Sequence, residues 1–234
     1  MSIVSLVAVT ELSEIASGLW VVEQPLRYLG FEAGRRMAVI RLADGGLLIH
    51  SPARLSTELR SALDRLGDVR FIVPASELHG HLYMEQYRDA YPQVKLFAAP
   101  GLPRKRKDLR FDGLLSGAPE RDWRDDLDQM AFEGWRRLNE IEFFHIKTRT
   151  LITGDLCCNF GLMTRLVAQG RMRQRLGPPT ECRILGIFRD RRAVRRSLER
   201  ILEWDFERIL PGHGEIVHTG GKDAFEEGFA RLLR

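Results

Sequence analysis

The stretch Leu151-Ile152-Thr153-Gly154-Asp155 places a carboxylate directly behind an apolar strand, with one glycine between them. The strand before it, Ile141–Phe144, is joined to Thr150–Thr153 by the polar segment His145–Arg149, and together they predict a β-hairpin. Side chains at strand ends lie at the edge of a sheet, where the binding groups of layered α/β folds commonly lie. Asp155 is therefore the first candidate catalytic residue.

A second strand in this half of the chain ends at a histidine between two glycines. The helix predicted over Ala193–Trp204 is followed by the buried strand Phe206–Leu210 and then by Pro211-Gly212-His213-Gly214. Glycines on both sides of a residue allow the backbone to approach a neighbouring group closely. This pattern makes His213 the second candidate.

The first half of the chain repeats the order of hairpin, helix and buried strand. Apolar runs on both sides of Ala43-Asp44-Gly45-Gly46 predict a hairpin that ends at His50. Ser56 is suited to begin the helix as its N-cap. The strand Val69–Val73 follows, and a polar loop behind it carries His79.

Two such halves, at about 18–100 and 130–218, predict a single domain over residues 1–234 with a connecting segment at about 100–130. We expect this segment to be a surface connection with a short helix. Two sheets face to face with helices outside form a four-layer αββα sandwich, a mixed α/β (α+β) fold. Strand-end loops of both halves would then meet at one edge, which brings together His50, His79, Asp155 and His213.

The amino-acid composition excludes several classes of protein. The chain has 234 residues, of which 44% are hydrophobic and 29% are charged, and this balance excludes disorder of the whole chain. The formal net charge of +4 is too small to indicate a nucleic-acid partner. There is no apolar run long enough for a membrane span, no signal-peptide pattern and no C-x-x-C among the three cysteines. We expect a cytoplasmic protein with reduced thiols, no membrane contact and a small-molecule substrate or ligand.

Two imidazoles and a carboxylate are suitable ligands for zinc, iron or manganese, and a catalytic site needs three protein ligands with one open position. A cation held in this way lowers the pKa of a coordinated water to about 7, which makes the water a nucleophile at neutral pH. Asp155 and His213 also have an explanation without metal binding, because both residue types are common in turns. From residue types alone, both interpretations stay open.

These motifs resemble the metallo-β-lactamase superfamily over roughly residues 18–218. The most specific are Thr153-Gly154-Asp155 and Pro211-Gly212-His213-Gly214. The stretches LWVVEQPL at 19–26 and LLIHSP at 47–52 more narrowly resemble an uncharacterised family within it, a domain of unknown function. The resemblance implies an αββα fold and a metal site whose ligands are His79, Asp155 and His213.

The resemblance also predicts that most of the superfamily's His-x-His-x-Asp-His motif is lost. The spacing between the flanking strands puts its four positions on Pro74, Ser76, Leu78 and His79. An alternative register uses His79-Gly80-His81 and needs about five extra loop residues. A further histidine of the superfamily would fall near Trp135–Leu138, where this chain has none.

These departures predict a site for one metal ion, zinc or else iron or manganese, or for none. The cleft is predicted to contain Ser76 and a cation, Arg136 or Arg137, that would oppose binding of a second ion. The residues predicted as a fourth ligand, or as hydrogen-bond partners of a ligand, are His50, Glu140 and Glu142.

Three hypotheses about function follow. The first is a mononuclear metallohydrolase that acts on a small ester, thioester or lactone. The second is a metal-free binding or regulatory protein that uses the same cleft. The third is nucleic-acid processing, suggested by the basic runs Arg104–Lys107, Arg171–Arg175 and Arg189–Arg196. It is disfavoured because no aromatic residues for base stacking lie between those basic residues.

Overall fold

Two sheets lie face to face in the computed structural model, which describes residues 11–28, 31–135, 138–160, 176–178 and 190–234. The first sheet has seven strands within these ranges. In spatial order they are β1 (Leu12–Ala16), β2 (Leu19–Gln24), β5 (Arg35–Arg41), β6 (Leu47–His50), β7 (Val69–Val73), β8 (Lys95–Ala98) and β9 (Gly113–Leu114).

The second sheet has four described strands, in the order β10 (Leu127–Ala131), β11 (Ile141–His145), β12 (Thr150–Ile152) and β14 (Arg208–Leu210). Two short pairs lie beside the sheets. They are the antiparallel hairpin of β3 (Arg27–Tyr28) with β4 (Phe31–Glu32), and the parallel pair of β13 (Cys158–Asn159) with β15 (His213–Gly214).

Helices cover the outer faces of both sheets. Those described are α1 (Thr57–Leu66), α2 (Met84–Ala90), α3 (Leu102–Lys105), α4 (Arg191–Ile201) and α5 (Gly221–Leu233).

Three apolar clusters separate these four layers. The first joins α1, α2 and α3 to the outer face of the seven-stranded sheet, with Leu63 and Tyr87 fully buried. The second lies between the sheets, where Phe71 and Phe143 are buried. The third joins α4 and α5 to the outer face of the second sheet. The predicted αββα sandwich is therefore confirmed.

Each half contains the predicted order of hairpin, helix and parallel strand. The strands β5 and β6 pair antiparallel, and β7 joins β6 in parallel after α1. In the second half, β11 and β12 pair antiparallel and β14 joins β12 in parallel. The side chain of Ser56 accepts a hydrogen bond from the backbone N–H of Leu59 and begins α1, as expected. The domain limits stay a prediction.

The segment at 100–130 contributes more to the core than predicted. The short helix is present as α3, but the segment also supplies β9, which pairs in parallel with β8 at the edge of the first sheet. Trp123 is almost fully buried and packs edge-to-face against Phe71 and Phe97. A surface connection is therefore an incomplete description, because isolated apolar residues in a polar stretch give no periodic signal.

The carboxyl ends of β7, β12 and β14 point to one edge of the paired sheets, where the candidate residues follow them. Cys157 and Cys158 are buried behind this edge, and Cys182 lies outside the described residues. Of the helices in the described ranges, none is long and apolar enough to cross a membrane.

Candidate functional site

Three of the predicted residues meet at this edge. The Nδ1 atom of His79 lies 2.9 Å from Oδ1 of Asp155, and Nε2 of His213 lies 3.2 Å from the same oxygen. The two imidazole rings stack with their centroids 4.8 Å apart. One nitrogen from each histidine and one oxygen of Asp155 all lie within 4.8 Å of one another. Residues that are up to 134 positions apart in the sequence therefore share one small volume.

The loop that carries His213 is fixed by an arginine of the first sheet. The guanidinium of Arg36 donates to the carbonyl of Pro211 at 2.5 Å and to that of Gly214 at 2.6 Å, and it also pairs with the carboxylate of Glu23. Arg36 is only 7% exposed, so these bonds lie in a poorly solvated place where hydrogen bonds to a charged group contribute most. The Arg36 side chain thereby holds both ends of the His213 turn.

The orientation of the His213 ring is set by the backbone of Gly34. The Nδ1 atom of the ring lies 2.5 Å from the carbonyl oxygen of Gly34, which can only accept a hydrogen bond. The ring nitrogen that faces Gly34 therefore carries the hydrogen, and Nε2 faces Asp155. Metal-binding histidines commonly use their second nitrogen in this way.

The glycines of this region are required by close packing. A Cβ atom added to Gly212 would lie 2.7 Å from the carbonyl oxygen of Gly154 and 2.9 Å from Cε1 of His79. Gly214 has a φ of +83°, in the left-handed region that favours glycine. The expectation of close backbone approach around His213 is confirmed.

The loop that carries Asp155 is organised by Glu140. Its buried carboxylate accepts the backbone N–H groups of Gly154 at 2.6 Å, Asp155 at 2.9 Å and Leu156 at 3.1 Å. Glu140 therefore lies behind Asp155 and turns the chain so that the Asp155 side chain faces the two histidines. Its use as a direct metal ligand would cost these three bonds.

Glu140 and Glu142 form a buried pair of acids. Burial raises the pKa of Glu140 first and the nearby charge of Asp155 adds to this, while the backbone N–H donors act in the opposite direction. Burial followed by the charge of Glu140 raises the pKa of Glu142 well above its usual value. Such a pair titrates as a unit. Among the described residues, three backbone N–H groups donate to Glu140 and none donates to Glu142, so the hydrogen bonds favour the charge on Glu140 and the proton on Glu142.

Ser76 lies beneath the loop that carries His79 and forms hydrogen bonds to its backbone. The hydroxyl of this fully buried serine accepts the N–H of Leu78 at 3.1 Å and that of His79 at 2.9 Å. Ser76 was predicted in the cleft, but its side chain lies beneath the loop rather than on the cavity wall. Leu78, in contrast, is 54% exposed and lines the cavity.

Other predicted residues lie apart from this group. His50 is buried between the sheets, with its ring edge-to-face against Phe143 at 5.5 Å, and burial lowers its pKa to about 3. His81, used by the alternative register, is 3% exposed and accepts from Arg106 through its carbonyl at 2.6 Å. Neither belongs to the group formed by the three site residues within the described ranges. Arg136 and Arg137 lie outside the described residues.

Electrostatic interactions among the three residues shift the pKa values of Asp155 and His213. Burial by itself raises the pKa of Asp155, but the imidazoles of His79 and His213 outweigh burial and hold that pKa far below its usual value. Burial likewise lowers the pKa of His213, and the Asp155 carboxylate together with the Gly34 carbonyl reverses this and raises it. The carboxylate is therefore ionised and attracts positive charge, whether that charge is a proton or a cation.

Two neighbouring cavities open beside this group. The smaller, about 290 Å³, is lined by His79, Asp155 and His213 and by Arg35, Tyr83 and several apolar side chains. The larger, about 620 Å³, lies beside the His213 turn and shares Arg35 and Arg36 with the first. The smaller cavity is the candidate site, because it contains all three residues of the group.

Sequence reasoning missed Arg36 as a positioning residue. A signal for it was present, because Arg36 alternates with Ala38 and Ile40 and so lies on the inner face of β5. A cation on that face needs partners, but the sequence does not indicate which carbonyls supply them.

Solved structures with the same fold share little sequence with this chain. A metallo-β-lactamase from Pontibacter korlensis has a TM-score of 0.67 and 13% identity, covering 96% of this chain and 99% of that one. One from Hirschia baltica has a TM-score of 0.65 and 13% identity, covering 96% and 97%. The metal-soaked Flv1 flavodiiron core from Synechocystis sp. PCC6803 has a TM-score of 0.70 and 13% identity, covering 95% and 60%. The chain therefore has the metallo-β-lactamase fold.

The family follows from sequence. The model of a domain of unknown function, DUF4336, matches residues 17–169, which include His79 and Asp155. This chain belongs to that family. No curated protein matches it by sequence.

Proposed function

We propose that this protein is a hydrolase that uses one divalent metal ion, held by His79, Asp155 and His213. The substrate class we propose is a small carboxylic ester, thioester or lactone. The metallo-β-lactamase fold supports metal-dependent hydrolysis in general, and the cavity beside the three residues supports a small substrate.

One observation carries the proposal, the convergence of two imidazoles and a carboxylate within 4.8 Å. The donor set fits zinc, iron or manganese, since these metals accept nitrogen and oxygen ligands together. The hydrogen bond from His213 to Gly34 also fits, because it leaves Nε2 to act as the ligand atom. Without a cation, the contact between this nitrogen and Asp155 requires a proton, and the raised pKa of His213 agrees with that requirement.

The residues around the group support one ion rather than two. Of the four motif positions, Pro74, Ser76 and Leu78 have no metal-binding side chain of the usual kind, and Leu78 faces the cavity. In the part of the chain that the structure describes, the three site residues form the one group suited to hold an ion.

When bound, such an ion would polarise the substrate carbonyl and lower the pKa of a coordinated water. The chain's own residues do the remaining work. Asp155 remains ionised at neutral pH, Gly34 and Arg36 fix His213, and Glu140 holds the Asp155 loop in place. Apolar side chains including Leu78 and Leu82 line the cavity and limit the water around a bound substrate.

Metal analysis of the purified protein tests this proposal. We expect about one zinc, iron or manganese ion per chain and hydrolysis of 4-nitrophenyl acetate. The variants Asp155→Asn and His213→Gln should lose the ion, whereas the matched control His218→Gln should retain it, because His218 lies outside the group.

A protein that contains no metal and takes up none on titration with zinc, iron(II) or manganese would overturn the proposal. The hypothesis of a metal-free binding protein would then take its place. Metal at about one ion per chain with equal loss in His218→Gln would show instead that the ligands are assigned wrongly.

A further inference from the structure

The candidate cavity contains a cation that forms no ion pair within the part of the chain that the structure describes. Arg35 and Arg36 both line it, but Arg36 is occupied by Glu23 and two carbonyls. Arg35 forms no ion pair with any side chain that the structure describes, whereas arginines such as Arg70 and Arg88 pair with aspartates. The positive charge of Arg35 is therefore available to a ligand.

A neutral partner positions this guanidinium. Nη2 of Arg35 donates to the hydroxyl of Tyr83 at 2.7 Å, and its guanidinium carbon lies 4.8 Å above the Tyr83 ring. Stacking on an aromatic ring restricts the side chain without cancelling its charge. Nε of Arg35 is buried and has no hydrogen-bond partner within the described part of the chain. A buried donor in this condition is costly unless a ligand satisfies it.

The backbone links this arginine to the metal-binding group. Arg35 directly follows Gly34, whose carbonyl accepts the hydrogen bond from His213. Tyr83 lies four residues after His79 and lines the same cavity. Because the cavity has a volume of about 290 Å³, a ligand with a few heavy atoms between its two ends would contact both Arg35 and the three-residue group.

The rest of the cavity wall favours an apolar chain. Leu78 and Leu82 are 54% and 64% exposed at its mouth, and Met37 and Ala53 line it further in. Among the residues described, Asp155 is the acidic side chain on this wall, and it is already engaged by two histidines. The wall thus offers a fork of N–H donors at one place and apolar surface beside it.

We propose that Arg35, positioned by Tyr83, binds an oxyanion of the substrate. The inference rests on the proposed hydrolase function and narrows it to acyl substrates that carry a carboxylate or a phosphate group on a short apolar chain. A guanidinium suits this role because its parallel N–H groups match two oxygens of either group.

Paired ester substrates test the proposal. Mono-4-nitrophenyl glutarate carries a carboxylate that 4-nitrophenyl acetate lacks. We expect Arg35→Met to lower kcat/KM for the glutarate ester by about tenfold to a hundredfold and to change that for the acetate by less than about twofold. Tyr83→Phe should raise KM for the glutarate ester about threefold with little change in kcat, as expected of a positioning residue.

The matched control is Arg41→Met. Arg41 lies at the other end of β5 and also covers an aromatic ring, with its guanidinium carbon 5.0 Å from the centre of Trp20. It is outside both cavities of the site, so we expect no change in the ratio of the two esters. Arg35→Lys, which retains the charge, provides a second variant in case Arg35→Met does not fold.

Direct binding separates this proposal from the hydrolase proposal. Calorimetry with glutarate, inorganic phosphate and the neutral glutaramide is carried out on the wild type and on Arg35→Met. Glutarate or phosphate binding that is lost in Arg35→Met supports the oxyanion site even if no ester is hydrolysed, and the tighter of the two identifies the anion. Equal effects of Arg35→Met on both esters, absence of oxyanion binding by the wild type, or oxyanion binding that is as tight in Arg35→Met as in the wild type would overturn it.

Discussion

The loops that carry Asp155 and His213 are each held by a buried charged side chain, whereas the side chain beneath the loop that carries His79 is neutral. Glu140 accepts three backbone N–H groups behind Asp155, and Arg36 donates to two carbonyls around His213. The His79 loop has the hydroxyl of Ser76 beneath it and the exposed Leu78 at its surface. The comparison shows that the loops following strands β12 and β14 of the second sheet define the geometry of the three-residue group. The first sheet contributes one member, His79.

The side chains that hold these loops also differ in charge. The loops of Asp155 and His213 are fixed by buried charged side chains, which form stronger hydrogen bonds than neutral ones. Beneath His79 the bonding group is a neutral hydroxyl, and the charged donor on that loop, Lys105 at the carbonyl of Glu77, is exposed. Substitutions at these fixing residues should therefore differ in their effects, and the predictions below follow the expected order of size.

Glu140→Gln should cause the largest loss. It removes the charge that three backbone N–H groups share and leaves a buried donor without a good acceptor, which should cost about 2 to 3 kcal/mol. The matched control is Glu142→Gln, which should cost less than about 1 kcal/mol because Glu142 already holds a proton and an amide resembles it closely. Urea unfolding measures both, and equal losses would contradict the assignment of the charge to Glu140.

Arg36→Met should lower the free energy of unfolding by about 2 kcal/mol, since two carbonyls lose a charged donor. It should also weaken zinc binding by about tenfold, because the His213 turn loses the side chain that positions it. Arg70→Met serves as the control, since Arg70 and Asp44 form a solvent-exposed pair for which we expect less than about 1 kcal/mol. Retention of full zinc affinity in Arg36→Met would show that the turn holds its shape without this residue.

The contributions of His50, in the first sheet, and of His213, after the last strand of the second sheet, to the free energy of unfolding should change with pH in opposite directions. Burial holds the pKa of His50 near 3, so its contribution to stability is complete above its unfolded pKa of about 6.5 and is lost as the pH falls below that value. In the metal-free protein, the pKa of His213 is raised, so its contribution is complete below about 6.5 and is lost as the pH rises through the folded value.

Unfolding of the metal-free protein between pH 5 and pH 8 measures this difference. The free energy of unfolding should fall as the pH is lowered from 8 to 5, and His50→Leu should make this fall smaller by about 1 to 2 kcal/mol. His213→Gln should reduce the loss of stability on the alkaline side. A slope on the acid side that His50→Leu leaves unaltered would indicate that other groups cause it.

Ser76→Ala should have the smallest effect, about 1 kcal/mol, because the N–H groups of Leu78 and His79 lose a neutral acceptor near a solvent-exposed loop. Ser51→Ala is the matched control. Its hydroxyl is buried without a hydrogen-bond partner among the described residues, so we expect less than about 0.5 kcal/mol. A loss for Ser76→Ala as large as that for Glu140→Gln would remove the distinction between the two regions.

Local signals in the sequence were sufficient for most elements. The strands β6 and β7 and the helix α1 lie where their apolar spacing and the N-cap Ser56 predict them. Such signals depend on neighbours within about four residues, so the chain itself contains them. The edge strand β9 and the burial of Trp123 had no such signal, because both depend on contacts with distant strands.

The sequence by itself determined the αββα order of elements and the residue types that could meet at the sheet edge. Only the tertiary structure decided that His79, Asp155 and His213 do meet while His50 and His81 do not, and that Glu140 and Arg36 hold the loops. The hydrogen bond from Arg36 to Pro211 joins residues 175 positions apart. No local pattern encodes such a contact, because it exists only after the two sheets have packed together.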